Sequence, residues 1–150
     1  MQIRPLIRED KSQWLSLWRQ YLDFYRHPLE DEITELTFER LCHGQEMLGL
    51  VAVSPGGELC GFMTLVFHPS TWSIHGYCYV EDLLVASQFR GQGIARSLFN
   101  EAWRQADARG SSRVYWFTEQ NNDRARALYD KLGQLAPYVI YRREPGKTSD

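Results

Sequence analysis

The chain has 150 residues, with 17 Lys and Arg against 19 Asp and Glu and a formal net charge of −2, so one domain burying roughly 68–70% of its unfolded surface is the default. Hydrophobic residues at 43% and charged ones at 24% exclude a disordered, collagenous or coiled-coil chain, and the near-neutral balance argues against a dedicated nucleic-acid partner. A mean hydropathy of −0.45 without a long apolar run predicts no membrane span.

In chain order, Met1-Gln2-Ile3-Arg4-Pro5 is broken by charge at once and reads as no secretory signal. Ile3 to Ile7 has the short, partly apolar pattern of an edge strand. Asp10 is placed to cap a helix over which Trp14, Leu17, Trp18, Tyr21, Phe24 and Tyr25 recur at three- and four-residue steps, until His27-Pro28 ends the run. Such a stripe is first of all a helix face packed on a sheet. Its aromatic character also lets the stripe line a substrate pocket, with Tyr25 as the candidate acceptor contact. A second helix is predicted over Thr34 to Cys42. The acids near it, Glu30, Asp31, Glu32, Glu35 and Glu39, either suit the positive end of the helix dipole or form a rim that attracts a cationic substrate.

Met47 to Val53 and Leu59 to His68 predict an antiparallel hairpin about Ser54-Pro55-Gly56-Gly57-Glu58. After a turn at Pro69-Ser70-Thr71-Trp72, Tyr77 to Val85 predicts a further strand rich in aromatic and β-branched residues. There follow a glycine-rich loop, a helix from Ile94 to Arg109 closed by Gly110, and a buried strand from Arg113 to Thr118. A helix from Asn122 to Leu132 stopped by Gly133, a last strand from Tyr138 to Arg142, and a polar tail over 144–150 expected to fray complete the chain. This order predicts a single α/β domain over 1–150, a central mixed, mostly antiparallel twisted sheet with helices on both faces. Cys42, Cys60 and Cys78 are odd in number and widely spaced, and read as reduced apolar residues of a cytoplasmic protein.

The chemistry concentrates in Glu81-Asp82-Leu83-Leu84-Val85-Ala86-Ser87-Gln88-Phe89-Arg90-Gly91-Gln92-Gly93-Ile94-Ala95-Arg96. A strand runs into a loop with alternate glycines that opens directly into a helix. Glycines let backbone amides approach a phosphate, the helix dipole adds positive potential, and Arg90 and Arg96 add charge, so a pyrophosphate is the natural guest. A dinucleotide fingerprint would need a small residue where Arg96 stands, and the chain has neither a Walker A loop nor a nucleophile elbow. His27, His43, His68 and His75 lack metal-ligand spacing.

Gln88-Phe89-Arg90-Gly91-Gln92-Gly93 fits the pattern Q/R-x-x-G-x-G/A, and Asn122-Asp123-Arg124-Ala125-Arg126-Ala127-Leu128-Tyr129-Asp130-Lys131-Leu132-Gly133 fits N-x-x-A-x-x-L-Y-x-K-x-G. On these two blocks the chain resembles the GNAT superfamily of N-acetyltransferases over all but its tail. The resemblance implies acetyl-CoA as cosubstrate, with no metal, and a primary amine as acceptor. It implies that Gln88, Arg90, Gly91, Gln92, Gly93, Ile94, Ala95 and Arg96 hold the pyrophosphate, that the backbone of Leu83, Leu84 and Val85 pairs with the pantetheine arm, and that Asn122 bonds near that arm. It further implies Glu81 as base, directly or through water, and as an acceptor contact. Tyr129 would then be the acid for the departing thiolate, since a phenol with pKa about 10 stays protonated at neutral pH. Read without the resemblance, Glu81 is a strand carboxylate and Tyr129 a tyrosine on an amphipathic helix. Strand alternation lets only one of Glu81 and Asp82 face the cleft, and the likeness favours Glu81.

The stretch Phe62 to Val85, with its Pro69 to Trp72 turn and Tyr79-Val80-Glu81-Asp82, is similar to the diamine and polyamine acetyltransferase branch. That likeness implies a small diamine or polyamine acceptor, and the family at large implies a homodimer. Gln134 departs from the pattern, standing where an aromatic or apolar residue usually follows the helix-ending glycine. The competing readings are an acetyltransferase for a protein lysine or N-terminus, an amino acid or an antibiotic, and a non-catalytic acyl-CoA-binding module. No nucleic acid or membrane partner is expected.

Overall fold

The computed structural model describes residues 1–146. In chain order it comprises β1 (Gln2–Pro5), α1 (Lys11–Phe24), α2 (Asp31–His43), β2 (Met47–Val53), β3 (Leu59–Ser70), β4 (Ser73–Val85), α3 (Ile94–Ala108), β5 (Val114–Trp116) and α4 (Asp123–Leu132). The strands form one sheet in the order β1-β2-β3-β4-β5, antiparallel except for the parallel pair β4–β5. The chain divides into two compact units between Phe117 and Thr118. The sheet and α1 to α3 lie in the first, and α4 in the second.

Alternation along the strands decides which helix covers which face. Val51, Val53 and Phe62 turn toward α1 and α2 and join Trp14, Leu17, Trp18, Phe38 and Leu41 in one apolar cluster. Leu50, Ala52, Met63 and Leu65 alternate to the opposite face and are equally buried, under α3 with its inward Leu98, Phe99, Ala102 and Ala106. Within the first cluster Trp14 stacks on Trp18 at 5.3 Å and leans on Phe38 at 5.2 Å. The Trp18 indole N–H donates to Thr34 Oγ1 at 3.1 Å and so pins α1 to α2. The aromatic stripe of α1 is therefore core at its start and emerges toward solvent at Tyr21 and Tyr25.

Three expectations are corrected. Asp10 does not cap α1: its buried carboxylate accepts two N–H bonds from Arg4, at 2.7 and 2.9 Å, and one from the Ile7 amide at 3.0 Å. A bidentate guanidinium satisfies a buried carboxylate better than one amide does. The strand expected over Arg113 to Thr118 is reduced to Val114–Trp116 and is only half-buried. No strand forms over Tyr138 to Arg142, and Tyr138, Val139, Ile140 and Tyr141 are 64% to 92% exposed. Aromatic and β-branched residues favour a strand only where a ladder partner exists, and none pairs with this segment among the described residues. The expected frayed tail lies, from residue 147 onward, outside the described residues.

Candidate active site

The site is built on β4 and on a fault in its pairing with β3. Phe62 pairs with Leu84 and Thr64 with Asp82, yet the next residue of β3, Leu65, pairs with Val80. Glu81 is thus the extra residue of a β-bulge. A bulge resets alternation by one step, so Glu81 and Asp82 both turn toward α1. Leu84 confirms the face, because it belongs to the cluster under α1. On α1 the Tyr21 hydroxyl donates toward Asp82, and its ionisation is opposed by the charges of both Asp82 and Glu81. The expectation that only one of the two carboxylates faces this side is corrected: the strand is not regular at that point.

The surroundings are aromatic. Tyr21 packs on Trp18 at 5.5 Å and on Phe62 at 5.8 Å, and Tyr25 lies 4.8 Å from Tyr21. Tyr79 stacks on Tyr115 at 5.0 Å, and the Tyr115 hydroxyl lies 2.6 Å from His68 Nε2. Burial, then the charge of Asp82, raises the Glu81 carboxyl above its ordinary range. Burial also raises Asp82, against the opposing pull of Tyr21 and Thr64. Burial and the two carboxylates push the Tyr79 phenol up to about 12, and the same causes take Tyr21 well above the usual phenol range.

Past the bulge, β4 has a free flank. β5 accompanies β4 only from Cys78 to Val80, so from Glu81 to Val85 no strand covers the outer edge among the described residues. Val85 leads through Ala86, whose N–H donates to Cys60 O at 2.9 Å, into a single 3-10 turn at Ser87–Phe89. Arg90 Nε donates back to Val85 O at 3.1 Å. Gly91 and Gly93 have φ of +77° and +78°, a region that strains other residues. A Cβ on either would meet nothing within 4 Å, which leaves an open cradle. Gln88, Arg90, Gly91, Gln92, Gly93 and Arg96 are exposed along it.

Ile94, 3% exposed, anchors the start of α3 in the core, so its backbone alone is available to a ligand. The first helical bond runs from Ser97 N–H to Gly93 O at 3.0 Å. The amides of Ile94, Ala95 and Arg96 precede that ladder and have no intrahelical acceptor, and no acid stands in the first turn. Convergent amides, a helix dipole and two arginines suit a diphosphate.

The remaining expected residues fall elsewhere. Asn122 caps α4, its Oδ1 accepting the Ala125 N–H at 3.3 Å. Tyr129 is half-buried on the same helix. Both belong to the second unit. Of the acids around α2, Asp31 and Glu32 occupy its first turn, while Glu35 and Glu39 pair with Lys11 and Arg8 at 2.6 and 3.0 Å. Glu35 and Glu39 are thereby matched by cations, whereas Glu30, Asp31 and Glu32 line an open cavity with Pro28 and Leu29. Among the described residues no group of three His, Cys, Asp or Glu is arranged to hold a metal ion, and no helix is long and apolar enough to cross a membrane. Sequence reasoning sets Asp82 on the opposite face, includes Tyr21 only within the aromatic stripe of α1, and misses Thr64.

Comparison with known proteins bears on this arrangement. The model of the acetyltransferase (GNAT) family matches residues 14–134. The chain is 29% identical over 143 residues to the D-amino-acid N-acetyltransferase HPA3 of Saccharomyces cerevisiae, covering 94% of this chain and 89% of the relative. Over 77 residues it is 36% identical to a thialysine N-epsilon-acetyltransferase of Caenorhabditis elegans, covering 51% of this chain and 48% of that one. Among solved structures, a probable acetyltransferase superposes with a TM-score of 0.84 at 21% identity, covering all of both chains.

Proposed function

The chain belongs to the acetyltransferase (GNAT) family and is an N-acetyltransferase; we propose that it moves the acetyl group of acetyl-CoA to the primary amine of a small cationic acceptor, a diamine or polyamine-like molecule. One observation carries the choice of acceptor. Glu81 and Asp82 share a face, and the groups that set their ionisation are Tyr21, Thr64 and each other, none of them a cation. Two adjacent carboxylates without a countercharge, Asp82 partly buried and Glu81 exposed, attract an ammonium group and repel a carboxylate.

In this reading the cradle of Gly91 to Gly93, with Gln88, Arg90, Gln92 and the amides of Ile94, Ala95 and Arg96, holds the diphosphate. The free edge of Leu83, Leu84 and Val85 offers backbone groups to the pantetheine amides as an added strand would, and Asn122 bonds near that arm. The Leu83 N–H polarises the thioester carbonyl. Glu81 takes the proton of the attacking amine, directly or through one water. Tyr129 returns a proton to the departing sulfur, only mildly uphill from a phenol near pKa 10 to a thiol near 8.5. Tyr25 borders the acceptor beside Tyr21. The proposal treats the whole chain as one catalytic domain, in a reducing, cytoplasmic compartment that suits its free cysteines, and as a homodimer.

A second reading, an amino acid acceptor, is favoured by the yeast relative over most of the chain. The two are separated by thiol release from acetyl-CoA with an alkyl diamine, a D-amino acid, an aminoglycoside and a lysine peptide. The proposal expects the diamine to give the highest kcat/KM. A D-amino acid preferred over the diamine would replace it.

A further inference from the structure

The sheet face that carries Glu81 continues onto β5 as a panel of aromatic rings. Alternation sends Val114 and Trp116 to the α3 side, where Trp116 meets Phe99 at 4.8 Å and Trp103 at 5.7 Å, and turns Tyr115 and Phe117 to the opposite face. Tyr79 shares that face, because its neighbours Cys78 and Val80 are the ones buried under α3. There Tyr79 stacks on Tyr115 at 5.0 Å, and Phe117 lies 5.3 Å from Tyr79 and 5.8 Å from Tyr115. His68 holds Tyr115 in place. Its Nδ1 faces Pro69 O at 2.8 Å and so carries a proton, which leaves Nε2 of the neutral ring to accept the Tyr115 hydroxyl at 2.6 Å. Two rings are thus fixed and half-buried, while Phe117 is 54% exposed. The parallel register then locates Phe117. Tyr79 pairs with Tyr115 and Val80 with Trp116, so Phe117 follows in step with Glu81 where the two strands part, after a last pair with the ordinary strand spacing of about 5 Å.

Resting on the acetyl-transfer reading, we propose that Phe117, backed by Tyr79 and Tyr115, is a specificity-determining residue that receives an aromatic ring of the acceptor, joined by a short linker to the amine that Glu81 deprotonates. A single exposed apolar residue needs no explanation. Phe117 differs because it is the open member of a three-ring cluster that stands beside the base. The acidic pair draws an ammonium group of any kind, whereas the panel distinguishes what that ammonium is attached to. Phe117 is tilted at 49° to Tyr79 and 60° to Tyr115, so its open side offers an arriving ring the tilted or offset contact that aromatic pairs prefer. A linker of one or two carbons matches the offset of one strand between Glu81 and Phe117. The tyrosines behind Phe117 are already ordered by each other and by His68, so binding a ring need not order them. The panel adds no charge, and its contribution is separate from the attraction between carboxylate and ammonium.

The test compares 2-phenylethylamine, 2-cyclohexylethylamine and 1-aminobutane, which carry one ammonium group each, by thiol release from acetyl-CoA. Wild type should prefer the aryl amine over 1-aminobutane by about tenfold or more in kcat/KM, from the ring area buried. It should prefer the aryl amine over its saturated counterpart by about threefold or more, the size of a ring contact beyond its area. Phe117→Leu should abolish the second preference and keep part of the first. Phe117→Ala should lose most of both, through the KM of the aryl amine rather than kcat, because a binding contact is removed. The side chain is exposed, and an unchanged unfolding midpoint shows that the variants are folded. A loss of equal size on all three amines, or a higher KM for acetyl-CoA with the acceptor preferences intact, overturns the assignment of Phe117. Wild type that takes the three amines alike overturns this inference only. Wild type that turns over none of them, nor a diamine, overturns the acetyl-transfer reading and this inference with it.

Discussion

Replacing Glu81 by Gln removes the base and keeps the size and hydrogen-bonding shape of the side chain. An alkyl amine with pKa about 10.4 is neutral in only about one molecule in 2,500 at pH ~7, a penalty of roughly 4.6 kcal/mol over about 3.4 units. A positioned base that accepts the proton during attack is worth about 10²–10⁴-fold. Burial and the adjacent Asp82 raise the Glu81 carboxyl, which brings its basicity closer to that of the amine and favours the upper part of that range. The variant must instead wait for amine already neutral in solution, so its rate should climb about tenfold per pH unit up to the amine pKa. Wild type should plateau once Glu81 is ionised. Its kcat/KM should fall on the acid side at a pH above the ordinary carboxylate range, because the shift is upward.

The expected deficit of Glu81→Gln is thus about 10³–10⁴ near neutrality, shrinking about a hundredfold between pH ~7 and ~9. Thiol release from acetyl-CoA measures it, with the KM for acetyl-CoA as a control that should not move. A deficit that stays constant with pH, or one below about threefold at neutrality, would show that Glu81 does not take the proton.

Three further outcomes are expected. Tyr129→Phe should lower kcat by about 10²-fold or more with folding intact, since the acid for the thiolate is gone; full kcat in the variant removes Tyr129 from the chemistry. Gly93→Ala should cost about 1 kcal/mol or more in stability from its positive φ, although a Cβ there has open space. The same substitution should weaken CoA binding in calorimetry by a larger factor than it changes the unfolding midpoint. Asp10→Asn should cost about 1.5–3 kcal/mol in denaturant unfolding, the range for a hydrogen bond to a charged group. Arg4 and the Ile7 amide hold the Asp10 carboxyl below its ordinary value despite burial, so the stabilisation is present above the unfolded pKa of about 3.9 and disappears as pH falls through the lower folded one. The gap between variant and wild type should therefore close in acid, and a gap independent of pH would disprove the linkage.

The periodic stripe of Trp14, Leu17, Trp18 and Tyr21, the hairpin about Ser54 to Glu58 and the strand–glycine loop–helix from Leu83 to Arg96 are legible in the sequence because each is a local pattern with a local cause. The bulge is not. It is a mismatch between two strands, visible only when Thr64 and Leu65 are set against Asp82 and Val80, and β4 gives no warning because Val80 and Leu84 are both buried although they face opposite sides. Alternation read along one strand therefore sends Asp82 to the wrong face and leaves Thr64 out of the site. The absent strand at Tyr138 to Arg142 has the same origin: its residues favour a ladder, and a ladder needs a partner that composition does not reveal.

The parting of β4 from β5 follows at the residue after their last pair. Val80 pairs with Trp116, and the next residue of β4 is the bulged Glu81. Bulges bend a strand and raise its local twist, and a parallel neighbour that continued straight would lose register there. One inserted residue thus accounts for two features with different uses: two carboxylates brought to the α1 side, and a bare edge from Glu81 to Val85 that leads into the glycine loop. If the bulge is the common cause, the features should fail together. Deleting Glu81 would restore regular pairing of Leu65 and Thr64 with successive residues, return Asp82 and Leu84 to fixed opposition with β3, and let β5 extend. Such a variant should lose CoA affinity as well as amine turnover, whereas Glu81→Gln should lose turnover alone.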